Sequence, residues 1–405
     1  MVPAQFNERR VVLLIGMIQF INVLDFMMVM PLGPDFAKAL GVPASEIGIV
    51  GGAYTLAAAV SGIACSFFLD RFDRRKALAV IMGGLVVGTA AGGLAWDFHS
   101  LVAARLLAGA FGGPATSISY AIIADVIPVE RRGKAMGAVL SAFAFASVFG
   151  VPAGLEMARF GGWQTPFFAV ALLGLVTAVA VIAILPPLRI HLERKESGPK
   201  FRVGDLLRRS VVIVSFVMTA TVMMASFMII PNIAAYIQRN LDYPRESMGI
   251  LYAAGGAVSF FAMRMSGRLT DRYGSFVTGA IGSALLVFVL YFGFVSWQPW
   301  CSVMGLFILF MLAMSFRNVA YNTLTSRVPA AHERAGFLSI QSAIQHVASS
   351  AGAFLSAAFL HEYADGSLGG IDLLAVASIA LTVMLPVLMR SVLRSVRAAT
   401  PVVKE

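Results

Sequence analysis

Three ionisable side chains stand where such groups are rare: Asp25, Arg105 and Arg317 each interrupt a long apolar run. A charged group inside such a run is costly to dehydrate, so it is expected to face a cavity or a partner. Asp25 lies seven residues before the end of its run (11–32), and Arg105 lies six residues into its own (99–124). At 1.5 Å per residue both sit about 10 Å deep from the same side, a depth that allows pairing. Burial and a neighbouring cation act in opposite senses on a carboxyl group's hold on its proton. A movement that separates the pair therefore loads or releases a proton. The alternative is a static ion pair that orients two helices.

Other polar residues gather on the same kinds of run. Asn22 lies three residues before Asp25, on the same helical face, and either lines a cavity or hydrogen-bonds a neighbouring helix. Arg317, Asn318, Tyr321 and Asn322 make one run unusually polar, and Gln341, Gln345 and His346 do the same for the next. His346 has the chemistry of a proton shuttle near neutrality, and equally that of a histidine held by helix–helix hydrogen bonds. Arg317 has two readings: attraction of anionic substrate groups, or a structural contact with loop carbonyls. Methionines Met28, Met224 and Met228, with Tyr120 and Asn232, complete the candidate substrate-cavity set. Methionine is flexible and polarizable, which suits surfaces that accept varied apolar ligands.

Several function classes drop out. There is no Walker A run, zincin motif or nucleophile elbow, so an enzyme is not expected. Two cysteines, Cys65 and Cys301, both within apolar stretches, make neither a disulfide framework nor a cysteine metal site. No metal and no cofactor are expected.

The elements that must hold these residues follow from composition. Of 405 residues, 59% are apolar and 13% charged, and the mean hydropathy is +0.83. Soluble domains carry roughly 25% charge, so the chain is read as an all-α integral membrane protein. Windows of about 20 apolar residues give twelve candidate spans, helices 1 to 12, at 11–32, 46–69, 77–96, 99–124, 135–158, 163–186, 210–235, 247–267, 275–297, 300–325, 336–360 and 371–389. The runs are long and continuous, without the alternation of a membrane barrel strand. The start, Asn7-Glu8-Arg9-Arg10, passes directly into an apolar span longer than a signal-peptide core, with no small-residue cleavage site, and is read as an uncleaved first helix.

Net charge is +10, which raises nucleic acid as a partner until the cations are placed. With the N-terminus inside, the outer loops hold only Lys38, Arg159, Arg239 and Arg245 of the 31 Lys and Arg, and Arg105 and Arg317 lie within spans. That asymmetry puts both termini in the cytoplasm and removes the nucleic-acid reading. The absence of an Asn-x-Ser/Thr sequon favours a bacterial source, hence a bacterial inner membrane.

The longest polar insertion, 189–209, is read as a cytoplasmic linker between residues 1–188 and 210–405, each a six-helix bundle, with a surface-lying segment at 201–207. A shift of 201 positions pairs Pro43 with Pro244, Gly48-Ile49 with Gly249-Ile250, Asp70-Arg71 with Asp271-Arg272, Tyr120 with Tyr321 and Pro128 with Pro329. It pairs Asp25 with Ser226, so the halves differ in chemistry. Parallel six-helix repeats mark one class of secondary transporter, with the substrate site near mid-membrane.

These features resemble the major facilitator superfamily over essentially the whole chain. The run Ser66-Phe67-Phe68-Leu69-Asp70-Arg71-Phe72-Asp73-Arg74-Arg75-Lys76 is similar to the family's G-x-L-x-D-R-x-G-R-K, with Ser66 and Asp73 where the pattern has glycine. A second copy is Gly267-Arg268-Leu269-Thr270-Asp271-Arg272-Tyr273-Gly274. Arg105-Leu106-Leu107-Ala108-Gly109 resembles the helix-4 R-x-x-x-G element, and Gly150-Val151-Pro152-Ala153-Gly154 the helix-5 motif of proton-driven exporters, with Leu155 in place of its terminal glycine. Leu24-Asp25-Phe26-Met27-Met28-Val29-Met30-Pro31 resembles the helix-1 signature of twelve-span drug:proton antiporters.

The resemblance implies a proton-gradient-driven exporter of a small organic molecule, such as a drug, sugar or secreted metabolite, working as a monomer by alternating access. Asp25, Arg105 and His346 would handle protons; Asp70, Arg71, Arg74 and Asp125, with Asp271 and Arg272, would latch the cytoplasmic side. Rival readings are a proton-coupled importer, a transporter-like sensor, and a copper importer. The last rests on Met224 and Met228, one turn apart as on the family's copper importers, but the histidine expected on helix 8 is replaced by Met263-Arg264-Met265.

Overall fold

The computed structural model describes residues 8–66, 69–189, 203–298, 301–330 and 333–399. Long helices dominate. Helix 1 is Glu8–Val29, helix 2 Ile47–Ser66, helix 3 Arg74–Gly93, helix 4 Phe98–Val126 and helix 6 Thr165–Ile184. Helix 5 runs as Val129–Phe145 and Val151–Gly161 with a π-helical turn, Ala146–Gly150, between them. Helix 7 is Ser210–Phe227, helix 8 Met248–Tyr273, helix 9 Ser275–Leu290, helix 10 Val303–Thr325, helix 11 Arg334–Phe359 and helix 12 Ile371–Ala399. This is the all-α, twelve-helix membrane architecture that hydropathy implies.

Eleven stretches are long and apolar enough to cross a membrane among the described residues. Helix 11 is the long helix that does not qualify: its 26 residues include Gln341, Gln345, His346 and a series of serines. Helix ends also differ from the hydropathy windows. Helix 12 continues ten residues past 389, because its last turns are basic and amphipathic rather than apolar. Helix 8 continues to Tyr273, which places Arg268, beyond the hydropathy window, within a helix rather than in a cytoplasmic loop. Helices 1 and 7 stop early, before Pro31 and Pro231, since proline cannot donate the next helical hydrogen bond; short helices, Gly33–Leu40 and Ile233–Arg239, follow.

Of the 189–209 segment, 190–202 lies outside the described residues. Val203–Leu207 is a short helix whose Leu206 packs into the apolar core with Phe216, Phe337 and Met389, while Gly204, Asp205 and Leu207 are exposed. The connection between helices 11 and 12 carries a two-residue strand pair, His361–Glu362 against Leu368–Gly369.

The chain divides into two compact units, Met1–Gly198 with Glu246–Ala253, and Pro199–Arg245 with Ala254–Glu405. Within the first, helix 3 packs on helices 4 and 6, and helix 1 on helices 5 and 6. In the second, helix 9 packs on helices 10 and 12, and helix 7 on helices 11 and 12, the same pairs displaced by six. The 201-residue offset reaches the backbone. The 3-10 turns Ala44–Glu46 and Arg245–Ser247 correspond, and left-handed Gly41 (φ +64°) corresponds to left-handed Asp242 (φ +49°), a conformation that aspartate tolerates better than most side chains.

Candidate functional site

Helix 1 presents Gln19, Asn22 and Asp25 at three-residue spacing, which stacks them along one face. Asp25 is fully buried (0% exposed) and Arg105, on helix 4, nearly so (1%). Arg105 Nη1 donates to both carboxylate oxygens at 3.1 Å, and its Nη2 to the Asp25 carbonyl at 3.2 Å. Thr89, on helix 3, donates its hydroxyl to Asp25 Oδ1 (2.8 Å). The guanidinium lies over the Tyr54 ring, 4.5 Å from its centroid, a cation–π placement. Arg105 Nε has no hydrogen-bond partner among the described residues. The pair is buried, doubly bonded and contacted by two further helices, helix 2 through Tyr54 and helix 3 through Thr89.

The network continues along the face. Tyr54 donates its hydroxyl to Asn22 Oδ1 (2.9 Å), and Asn22 Nδ2 donates to the Gly112 carbonyl (3.0 Å) and Thr116 Oγ1 (2.9 Å). Thr116 donates to Gln19 Oε1 (3.3 Å), and Gln19 also hydrogen-bonds Tyr120. Helix 4 must come very close to allow this. A Cβ at Gly112 would stand 2.1 Å from the Tyr54 hydroxyl oxygen, so glycine is required there. At the π-turn of helix 5, a Cβ at Gly150 would meet Leu24 Cδ1 at 2.7 Å. The helix-5 motif thus packs directly on the residue beside Asp25; Pro152 opens the following helical segment, and Gly154 lies against Met28.

Thr89, Tyr54, Gln19 and Thr116 are members that sequence reasoning did not single out. Gln19 was readable from its spacing to Asn22 and Asp25. The other three sit on separate helices, and one-dimensional periodicity does not tell which hydroxyl reaches across.

The second half places its candidates differently. Arg317 is 1% exposed; its Nη2 donates to Ser226 Oγ (2.7 Å) and lies 2.9 Å from Met314 Sδ. Gln345 donates to the Tyr321 hydroxyl (3.3 Å). Asn232 is fully buried and donates to Ser356 Oγ (2.9 Å), tying the 3-10 turn Ile230–Asn232 after helix 7 to helix 11. Met228 is buried, while Met224, Asn318 and His346 are half-buried. His346 has no hydrogen-bond or ion-pair partner among the described residues.

At the end of the first unit where helices 2 and 3 join, Arg74 Nε is 2.5 Å from Asp125 Oδ2. Asp73 caps helix 3 by accepting from the Arg75 N–H (2.9 Å), and also accepts from the Leu188 N–H (3.2 Å) and Arg189 Nε (3.1 Å). Burial pushes the Asp73 carboxyl up, but these hydrogen bonds, with one from the Lys76 backbone, outweigh it and hold the group below the usual carboxylate range. Asp73, where the resembled motif has glycine, therefore clasps the segment just after helix 6. Asp70 lies in a 3-10 turn, Leu69–Arg71, and its side chain is outside the described set; Arg71 is exposed. Asp271 and Arg272 are exposed, with Arg272 over the Tyr273 ring.

A profile of the Major Facilitator Superfamily matches residues 15–353. Among solved structures, a bacterial homolog of the human lysosomal transporter Spinster, inward-facing and unoccupied, aligns with a TM-score of 0.78 at 16% identity, covering 98% of this chain and all of that one. The D-xylose–proton symporter aligns at 0.71 and 18% identity (94% and 95% covered), and the nucleoside transporter NupG at 0.71 and 12% (94% and 99%). At these identities the likeness concerns the fold.

Proposed function

The chain belongs to the major facilitator superfamily and is a multi-pass membrane transporter; from that premise we propose that it is a proton-coupled exporter of a small organic molecule, working by alternating access with Asp25 as the proton carrier. The observation that carries this reading is the buried Asp25–Arg105 pair, with Thr89 on the same carboxylate. A helix movement that withdraws the guanidinium leaves a buried carboxylate without its counter-charge, which favours uptake of a proton, so the contact couples proton binding to conformation. Such a group deep in a span serves a proton relay more readily than a static fastener.

Export is the direction favoured by the resemblance of Gly150, Pro152 and Gly154 to the exporter motif, and Gly150 packs against Leu24, which links that element to the proton site. The likeness to a proton symporter is compatible with proton use on this fold. In this reading the protein sits in a bacterial inner membrane with both termini cytoplasmic and works as a monomer. Arg74 and Asp125 belong to the cytoplasmic latch, together with Asp70, Arg71, Asp271 and Arg272.

The test is proton flux in proteoliposomes carrying wild type or Asp25→Asn, screened with drugs, sugars and metabolites. Substrate-triggered proton movement in wild type alone is the expected result, with cargo leaving the cytoplasmic side. Equal flux from both proteins removes Asp25 as carrier and moves the role to His346.

A further inference from the structure

Arg317 presents a buried cation whose counter-charge is missing. It is 1% exposed, its Nε has no partner among the described residues, and no described carboxylate pairs with it. The next residue, Asn318, has its Oδ1 buried and unpartnered as well. Helices 7, 9, 10 and 11 contain no Asp or Glu within their bounds. The Ser266 hydroxyl donates to the Phe316 carbonyl (3.3 Å), which fixes helix 8 against helix 10 at this level. Arg264 and Arg268 flank Ser266 on helix 8, both exposed and without an ion-pair partner among the described residues.

A guanidinium taken out of water without an anion is strongly disfavoured. The first unit meets the same demand with Asp25. In the second unit the corresponding position is Ser226, which gives Arg317 Nη2 one neutral hydrogen bond and no charge. We propose that the missing charge arrives with the cargo: Arg317, held in place by a Ser226 hydroxyl that itself donates to the Val222 carbonyl (2.6 Å), forms an oxyanion subsite, and the transported molecule carries a carboxylate, phosphate or sulfonate group. A guanidinium fork matches such planar or tetrahedral oxyanions, and its unpaired Nε–H supplies the second donor. Arg264 and Arg268 raise the local concentration of anions on the same unit. This deepens the transporter reading above and rests on it.

The experiment measures thermal unfolding of the full-length protein in neutral detergent. Benzoate, phenyl phosphate and benzenesulfonate are compared with benzamide and benzyl alcohol, with ionic strength matched by chloride. The expected result is a raised midpoint for at least one oxyanion and for neither neutral compound. Arg317→Met abolishes that shift and, without ligand, melts above wild type. Arg317→Lys keeps the shift with affinity weakened on the order of tenfold, since a point charge replaces the fork. The shift is read on wild type without a proton gradient, so failed proton flux with a retained oxyanion shift sinks the proton-carrier reading alone. Equal shifts from charged and neutral compounds, no shift included, overturn the proposal. So does an oxyanion shift that survives Arg317→Met, and so does an unliganded Arg317→Met protein that melts below wild type, as loss of a structural guanidinium would.

Discussion

The two halves share a backbone plan, yet each handles its buried arginine in a different way. In the first, Asp25, Thr89, Tyr54 and Asn22 surround Arg105 or continue its network. The 201-residue shift replaces Asp25 with Ser226, Thr89 with Leu290, Tyr54 with Gly255, Asn22 with Met223 and Arg105 itself with Leu306. The whole cluster is erased together, as expected if its members have value only as a set: a lone Asp or Arg left behind would be an unpaired charge. Arg317 then appears at the position of Thr116, about three helical turns beyond Leu306, where symmetry would put an arginine. The first half has a self-neutralised pair, and the second an open cation.

The sharpest way to break this comparison is to unpair the first half. Arg105→Ala strands Asp25 in a buried site and is expected to cost about 3–5 kcal/mol, read as thermal unfolding in detergent. The double variant Asp25→Asn/Arg105→Gln should recover a good part of that loss. A double variant no more stable than the single one would mean that the pair contributes no mutual neutralisation.

Closing the second half comes next. Ser226→Asp puts a carboxylate beside Arg317 and should stabilise by about 1.5–3 kcal/mol, the range of a hydrogen bond to a charged group, while abolishing any oxyanion-induced shift. Destabilisation would show that Arg317 is not short of an anion.

Helix contact offers a third probe. Gly112 faces Tyr54, but its counterpart Ala313 has Gly255 in the tyrosine's place. Gly112→Ala is expected to cost about 1–3 kcal/mol by overpacking, with loss of the Tyr54–Asn22 bond; Ala313→Gly should cost about 1 kcal/mol or less, the helix-propensity difference. Similar costs at both positions would deny the asymmetry.

The smallest effect concerns Asp73, whose counterpart is Gly274. Losing its cap by Asp73→Ala should cost about 1 kcal/mol. Because the folded carboxyl is held below its ordinary value, the stabilisation is complete above about pH 4 and is lost as pH falls through that lowered value. The gap between wild type and variant melting should therefore close in acid. A gap unchanged down to pH 2 would rule out ionised Asp73 as its source.

Much of this was legible in one dimension. Twelve apolar windows located the twelve long helices, because membrane spans announce themselves by length and hydropathy. Depth counting placed Asp25 and Arg105 at one level, and the structure brings them into contact. Helix ends were less legible: basic amphipathic turns extend helix 12, and arginines ride inside helix 8. The hydroxyls of Thr89 and Tyr54 were invisible, since serines and threonines abound in spans and commonly bond their own backbone, as Thr89 also does to Leu85. Asp73 was read as a departure from a motif, and its partners Leu188 and Arg189 lie more than a hundred residues away, beyond any local pattern.

Helix 11 has a consequence for how the chain is made. A segment with Gln341, Gln345 and His346 near its middle is a poor candidate to leave the insertion machinery alone. Its chief packing partner, helix 7, emerges more than a hundred residues earlier, and helix 12 follows only after it. Helix 7 must therefore stay within reach during synthesis until helix 11 arrives. A substitution that weakens the Asn232–Ser356 bond, which joins the turn after helix 7 to helix 11, would act first on membrane integration, before any cargo is moved.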